Sequence, residues 1–107
     1  MVPERRSQLR QRLYLPVRIR RDNMGLPVET LSRDVSGGGL RCLVQEPIAA
    51  HSHIVIDVTL PKRLGVATLQ AESLWLRELP HCDQFEIGVA FIGNLPEEMK
   101  RFLAEAG

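Results

Sequence analysis

Asp34-Val35-Ser36-Gly37-Gly38-Gly39-Leu40 is the stretch on which the reading of this chain turns. Three consecutive glycines after a serine suit a tight turn, because glycine has no Cβ to restrict its backbone. Residues 27–35 read as a strand running into that turn, and Leu40, Cys42 and Val44 alternate beyond it with the period of two that marks a second strand. The segment is therefore strand, turn, strand.

The same β pattern extends in both directions. Towards the N-terminus, Leu13, Leu15, Val17 and Ile19 alternate with Tyr14, Pro16, Arg18 and Arg20, as in a half-buried strand. Pro16 predicts an edge position or a bulge there, and Asp22-Asn23-Met24-Gly25 supplies turn chemistry. Towards the C-terminus, Pro47 closes the third strand, and Ile54, Ile56, Val58 and Leu60 define a fourth that Pro61 ends. Residues 66–78 form a fifth, expected to carry Leu69, Ala71, Ser73 and Trp75 on one face, and Phe85, Ile87, Val89 and Phe91 form a sixth. Asn94-Leu95-Pro96-Glu97 then looks like a helix start, with Asn94 as its cap, and Leu95, Met99, Phe102, Leu103 and Ala106 recur at helical spacing. The fold class is all-β (mainly β): six regularly spaced strands and one short helix, best closed into a barrel because closure removes exposed strand edges.

The 107 residues fit one domain: an arginine-rich arm over 1–12 and a barrel over 13–107 with a C-terminal helix over 95–106. With 5% aromatic residues, the core must rest on Leu, Val and Ile. No apolar run is long enough to cross a bilayer, so no membrane insertion is expected. The N-terminus lacks the apolar stretch of a signal peptide, and the two cysteines, Cys42 and Cys82, read as free thiols, so the expected location is cytoplasmic. The net charge of +1 hides an asymmetry: residues 1–21 hold seven arginines against Glu4, whereas the remainder carries seven basic and twelve acidic side chains. The choice of arginine over lysine matters, since a planar guanidinium grips phosphate or a guanine edge at two points.

Two features combine into a candidate site. Arg6 and Arg10 stand four apart just before the first strand, and Asp34, Ser36 and Gly39 lie at the second turn. Separately they are ordinary: spaced arginines are common, and Asp-x-Ser usually makes an Asx-turn. Together they suit one ligand class. The guanidiniums match phosphate oxygens or O6 and N7 of guanine, and a carboxylate such as Asp34 accepts from guanine's N1–H and exocyclic amine. Ser36 can donate to a phosphate or cap the turn, and Gly39 permits close approach of a base or a backbone.

The chain here resembles the PilZ domain family, which carries R-x-x-x-R followed by [D/N]-x-S-x-x-G. Arg6 and Arg10 match the first motif, and Asp34, Ser36 and Gly39 match the second, with no departure at the five positions. Glu4-Arg5-Arg6, Leu15-Pro16-Val17 and Gly88-Val89-Ala90-Phe91 agree with the family's flanks, so the resemblance covers nearly the whole chain. It implies a six-stranded antiparallel β-barrel with a flexible N-terminal arm and a short C-terminal α-helix, acting as a cyclic di-GMP receptor of bacterial second-messenger signalling. By the same resemblance Arg6 and Arg10 take phosphates and guanine Hoogsteen edges, with one guanidinium free to stack on a base. Asp34 and Ser36 contact guanine and phosphate, Gly39 shapes the turn, and Arg5 is an auxiliary contact. Trp75 stands where some members place an aromatic near the ligand. It implies no enzyme activity and no cofactor beyond that ligand, and a downstream protein partner.

Two other readings compete: a PilZ-fold adaptor that binds protein without nucleotide, and a small nucleic-acid-binding barrel using the basic arm. Such barrels usually display several surface aromatics, whereas this chain has one Trp, one Tyr and three Phe and an acidic barrel body, so no DNA or RNA partner is expected. His51-x-His53 and His81-Cys82 match no recognised zinc spacing.

Overall fold

The structure is a computed structural model that describes residues 11–21 and 26–106. Six strands follow one another: β1 (Pro16–Arg21), β2 (Val28–Val35), β3 (Gly39–Val44), β4 (His53–Leu60), β5 (Gly65–Glu78) and β6 (Phe85–Ile92), before helix α1 (Glu97–Ala106). They close into a barrel in the order β1-β2-β3-β6-β5-β4, every pair antiparallel, with β1 and β4 making the seam. Closure also explains Pro16. A closed barrel offers it no edge, and it stands instead at the first residue of β1, where a missing N–H is tolerated.

The core follows from strand alternation. Val17 and Ile19 of β1, Leu40, Cys42 and Val44 of β3, Ile54, Ile56, Val58 and Leu60 of β4, and Ile87 and Val89 of β6 are all buried. Burying one such aliphatic side chain stabilises a fold by about 1.5–3 kcal/mol. Helix α1 adds Met99, completely buried, with Phe102 and Leu103 packed partly against the same core. The helix begins two residues later than its sequence pattern suggests. The Pro96 carbonyl accepts from the amides of Met99 and Lys100, at 3.1 and 3.0 Å, so the capping position is Pro96 and not Asn94.

Polar side chains pin the connections. Ser32 is completely buried; its hydroxyl donates to the Leu13 carbonyl and accepts from the Leu15 amide at 2.9 Å, which ties the lead-in of β1 to β2. Ser73 does the same for the segment after β3, donating to the Ala49 carbonyl at 2.8 Å and accepting from the Ser52 amide at 2.9 Å. Burial pushes the Cys42 thiol up to about 12, with the charge of Glu86 adding to the effect, while Cys82 is exposed. No described helix is long and apolar enough to cross a membrane.

Candidate functional site

Two β-bulges build the candidate site. In β2, Ser32 pairs with Cys42 and Asp34 pairs with Arg41, so Arg33 is an extra residue without a partner. Ser32 faces the core, and strict alternation would send Asp34 the same way. The extra residue reverses the phase, so Asp34 turns to the outer face and Val35 inward. In β5, Ser73 pairs with Val89 and Trp75 with Gly88, leaving Leu74 as the extra residue. Trp75 accordingly does not continue the inward face of Leu69, Ala71 and Ser73, as alternation alone suggests. It sits on the outside, 38% exposed.

Register then aligns the two re-aimed residues. Asp34 pairs with Arg41, Arg41 with Gly88, and Gly88 with Trp75, which makes one row across the outer face of β2, β3, β6 and β5. Gly88 makes room for the indole: a Cβ there would lie 2.3 Å from Trp75 Cε2. The next row carries Leu43, Glu86 and Arg77.

The charges on this face form a chain. Arg41 donates from Nε, at 2.7 Å, and from Nη2 to the same Oδ2 of Asp34. Its Nη1 lies 3.7 Å from Oε2 of Glu86, and Arg77 donates to the other oxygen of Glu86. Both carboxylates are nearly covered, at 6% and 4% exposure of their side chains, while Arg41 remains half-open. Hydrogen bonding to Asp34 raises the Arg41 pKa above the ordinary guanidinium value; burial works against it, and the charges of Asp34 and Glu86 add to the rise. The group is a fixed cation.

Beyond Asp34 the chain turns at Ser36. The Ser36 amide donates to the Gly39 carbonyl at 2.8 Å, and its hydroxyl accepts from the Gly38 amide at 3.1 Å and donates to the Gly39 carbonyl at 3.4 Å. The hydroxyl thus shapes the turn. Gly39 is required by a neighbouring backbone, since a Cβ would stand 2.0 Å from the Val89 carbonyl oxygen. Gln11 reaches the same place: its amide and carbonyl form an antiparallel bridge with Val35, both bonds 2.9 Å, and its side-chain amide donates to the Leu103 carbonyl of α1 at 3.2 Å.

Of the residues singled out from sequence, Asp34 and Trp75 share one row, and Ser36 and Gly39 form the turn at its end. Arg5, Arg6 and Arg10 lie outside the described residues. Arg41, Glu86 and Arg77 were not singled out, and Gly88 stood out only as part of the Gly88–Phe91 flank, because nothing local marks a role for them: each belongs to an ordinary alternating strand, and only the register across three strands brings them together. His51 Nδ1 lies 3.3 Å from Glu72 Oε2, and among the described residues no three metal-ligating side chains gather.

Comparison with known proteins agrees with this architecture. The family model described as PilZ domain matches residues 4–106. The structure of the inhibitor of motility MotI/DgrA of Bacillus subtilis superposes with a TM-score of 0.76 at 15% identity, covering 92% of this chain and 47% of that one. This chain therefore spans about half the length of that protein. The PilZ domain of YcgR from Escherichia coli, solved with c-di-GMP, superposes with a TM-score of 0.70 at 15% identity, covering 92% of this chain and 86% of that one. No curated protein matches the sequence. At such identities the structural likeness speaks for the fold. The family model speaks for more, since it spans all but the first three residues and the last, with both motifs inside it: the chain belongs to the PilZ domain family.

Proposed function

We propose that this protein is a receptor and effector module for cyclic di-GMP in bacterial signalling, a sensor and not a catalyst. The observation that carries the reading is the bridge between Gln11 and Val35. It ties the residue that follows Arg10 in the chain to the neighbour of both Asp34 and Ser36, so the root of the arginine-rich segment stands against the second motif. Membership of the family supports the ligand, and a family neighbour, the YcgR domain, holds it in its structure.

The roles divide by chemistry. Arg6 and Arg10, with Arg5 beside them, grip phosphates and guanine Hoogsteen edges as bidentate donors. Asp34, fixed on the barrel, accepts from the Watson–Crick edge of guanine. Trp75 offers an apolar face at the far end of the same row, three strands from Asp34, for a base to stack on. Ser36 and Gly39 act through the turn they shape, and the Ser36 hydroxyl, engaged by that turn, is no nucleophile. The module works in the cytoplasm on a downstream protein, and Tyr14 and Leu31, both largely exposed, are apolar surface for such a contact.

Arginines on an arm hold any dinucleotide carrying two phosphates with little base choice, so the main reader of the base is Asp34, fixed on the barrel; an unchanged preference in Asp34→Ala would move that reading to the arginine forks on the Hoogsteen edge. Adenine presents an N1 acceptor to that carboxylate, and a polar site left unpaired rejects its ligand strongly. Calorimetry on the full chain is expected to show a preference for cyclic di-GMP over cyclic di-AMP of at least about two decades, roughly 2.8 kcal/mol. Asp34→Ala should narrow that gap and leave weak, salt-sensitive binding. Equal affinity of the wild type for both nucleotides would reduce the site to a general phosphate clamp, and binding of neither would favour the adaptor reading.

A further inference from the structure

Arg41 belongs to neither motif, yet both hydrogen bonds its side chain donates go to Asp34. Two of its donors, Nε and Nη2, converge on the single oxygen Oδ2, and its remaining nitrogen faces Glu86, which Arg77 holds from the far side. Two donors on one oxygen hold Oδ2 at a fixed point, and with the Asp34 Cβ anchored in β2 that sets the side-chain torsions and so the plane of the carboxylate. A planar guanidinium presents both donors in a rigid fork, whereas a lysine ammonium acts as a point charge with rotatable donors. Glu86 is nearly as covered as Asp34, so Arg41 sits between two covered carboxylates and is held by the charge of both.

Orientation matters because guanine offers two donors side by side, N1–H and the exocyclic 2-amine. Oδ2 already accepts twice from Arg41, so the carboxylate meets both donors only when it is held in the plane of the base with Oδ1 turned toward them; tilted, it meets one. From this geometry we infer that Arg41 is a positioning residue for guanine recognition, one that holds the Asp34 carboxylate in the plane a bidentate contact requires, with Glu86 and Arg77 holding Arg41 in turn. The inference rests on the reading of Asp34 as the guanine acceptor and adds the residue that makes that acceptor selective.

The test needs a ligand that lacks only the second donor. Cyclic di-IMP keeps N1–H, O6 and both phosphates and loses the 2-amine, so the ratio of its dissociation constant to that of cyclic di-GMP reports the second hydrogen bond alone. Calorimetry of both nucleotides is run on the full-length wild type, Arg41→Lys and Arg41→Ala, with a thermal melt of each. The wild type is expected to favour cyclic di-GMP by about tenfold, the worth of one hydrogen bond in a desolvated site. Arg41→Lys, which keeps the charge and the fold, should bring that ratio close to one. Arg41→Ala should also weaken cyclic di-GMP by about tenfold or more. A role limited to stability would move the melt and leave the ratio alone.

A wild-type ratio in Arg41→Lys overturns the inference, whatever Arg41→Ala does. Tighter binding by either variant also overturns it, by making Arg41 a competitor for Asp34. The wild-type titrations keep the two readings apart. A wild type that binds neither nucleotide sinks the receptor reading itself, and one that binds both with equal affinity removes the 2-amine contact on which Arg41 is held to act.

Discussion

Gly39 and Gly88 lack a side chain for opposite reasons, and the difference is measurable. At Gly39 the obstacle is backbone, the Val89 carbonyl oxygen 2.0 Å from where a Cβ would stand. At Gly88 it is the indole of Trp75, a side chain that can swing aside. Gly39→Ala must therefore push β3 and β6 apart, and such overpacking costs roughly 1–3 kcal/mol or more. Gly88→Ala should cost less and instead displace Trp75 from the sheet. Urea unfolding together with emission from the single tryptophan separates them: a lowered midpoint for Gly39→Ala, and a changed native emission with a smaller midpoint change for Gly88→Ala. A Gly39→Ala protein as stable as the wild type would mean that the strands are not so closely apposed. The importance of Gly39 could be read from its motif, but the purpose of Gly88 depends on which residue lies across from it in β5.

Strands carry their own devices away from the candidate site. On the outer face of β1, β4 and β5, Arg20 donates from Nε and Nη2 to both oxygens of Asp57, at 3.0 and 2.9 Å, and Thr68 adds a donor at 2.8 Å. Burial pushes the Asp57 carboxyl up, but hydrogen bonds from Arg20 and Thr68 and the charges of Arg20 and Arg18 outweigh it and hold the carboxyl below its ordinary value. A depressed folded-state value stabilises the protein above the ordinary carboxylate pKa of about 3.9 and loses that contribution as pH falls through the folded value. Arg20 is about half exposed, so solvent screening keeps the pair modest, about 0.5–1 kcal/mol. Asp57→Asn should thus be less stable than the wild type at pH 7, with the difference closing below about pH 4. Denaturant curves from pH 3 to 7 check it, and a constant difference across that range would deny Asp57 the role.

Taken as a whole, the six strands close into a barrel, and the lead-in to β1 is tied to it at Gln11. Strand pairing runs round all six strands and closes between β1 and β4, leaving no free edge, and α1 covers part of the core. The arginine-rich segment enters at Gln11, which is bonded to both β2 and α1. If the segment clamps the ligand, its order is linked to binding. Amide hydrogen exchange on residues 3–10 should slow when cyclic di-GMP is added, and Arg6→Ala and Arg10→Ala should each weaken binding by about tenfold to a hundredfold. Their melting temperatures should stay near that of the wild type, since both positions precede the barrel. Equal exchange with and without ligand would count against the clamp, and wild-type binding by either mutant would remove that arginine from it.

Strand identity and helix content were legible from residues alone, because period-two alternation in Leu40–Val44, Ile54–Leu60 and Phe85–Phe91 marks a half-buried strand; the alternation from Leu13 reads as strand too, but β1 begins only at Pro16, and Leu13–Leu15 is a lead-in tied by Ser32. The motif residues Asp34, Ser36 and Gly39 were legible too, since their spacing is local. The sides of the sheet that matter most were not. Alternation assigns Trp75 to the core with Ser73, and the bulge at Leu74 places it outside; the bulge at Arg33 does the same for Asp34. A bulge is a mismatch between two strands, a property of a pair that neither strand carries in its own sequence. The row from Asp34 through Arg41 and Gly88 to Trp75 has the same origin, because it depends on three registers at once, each set by how the closed barrel packs.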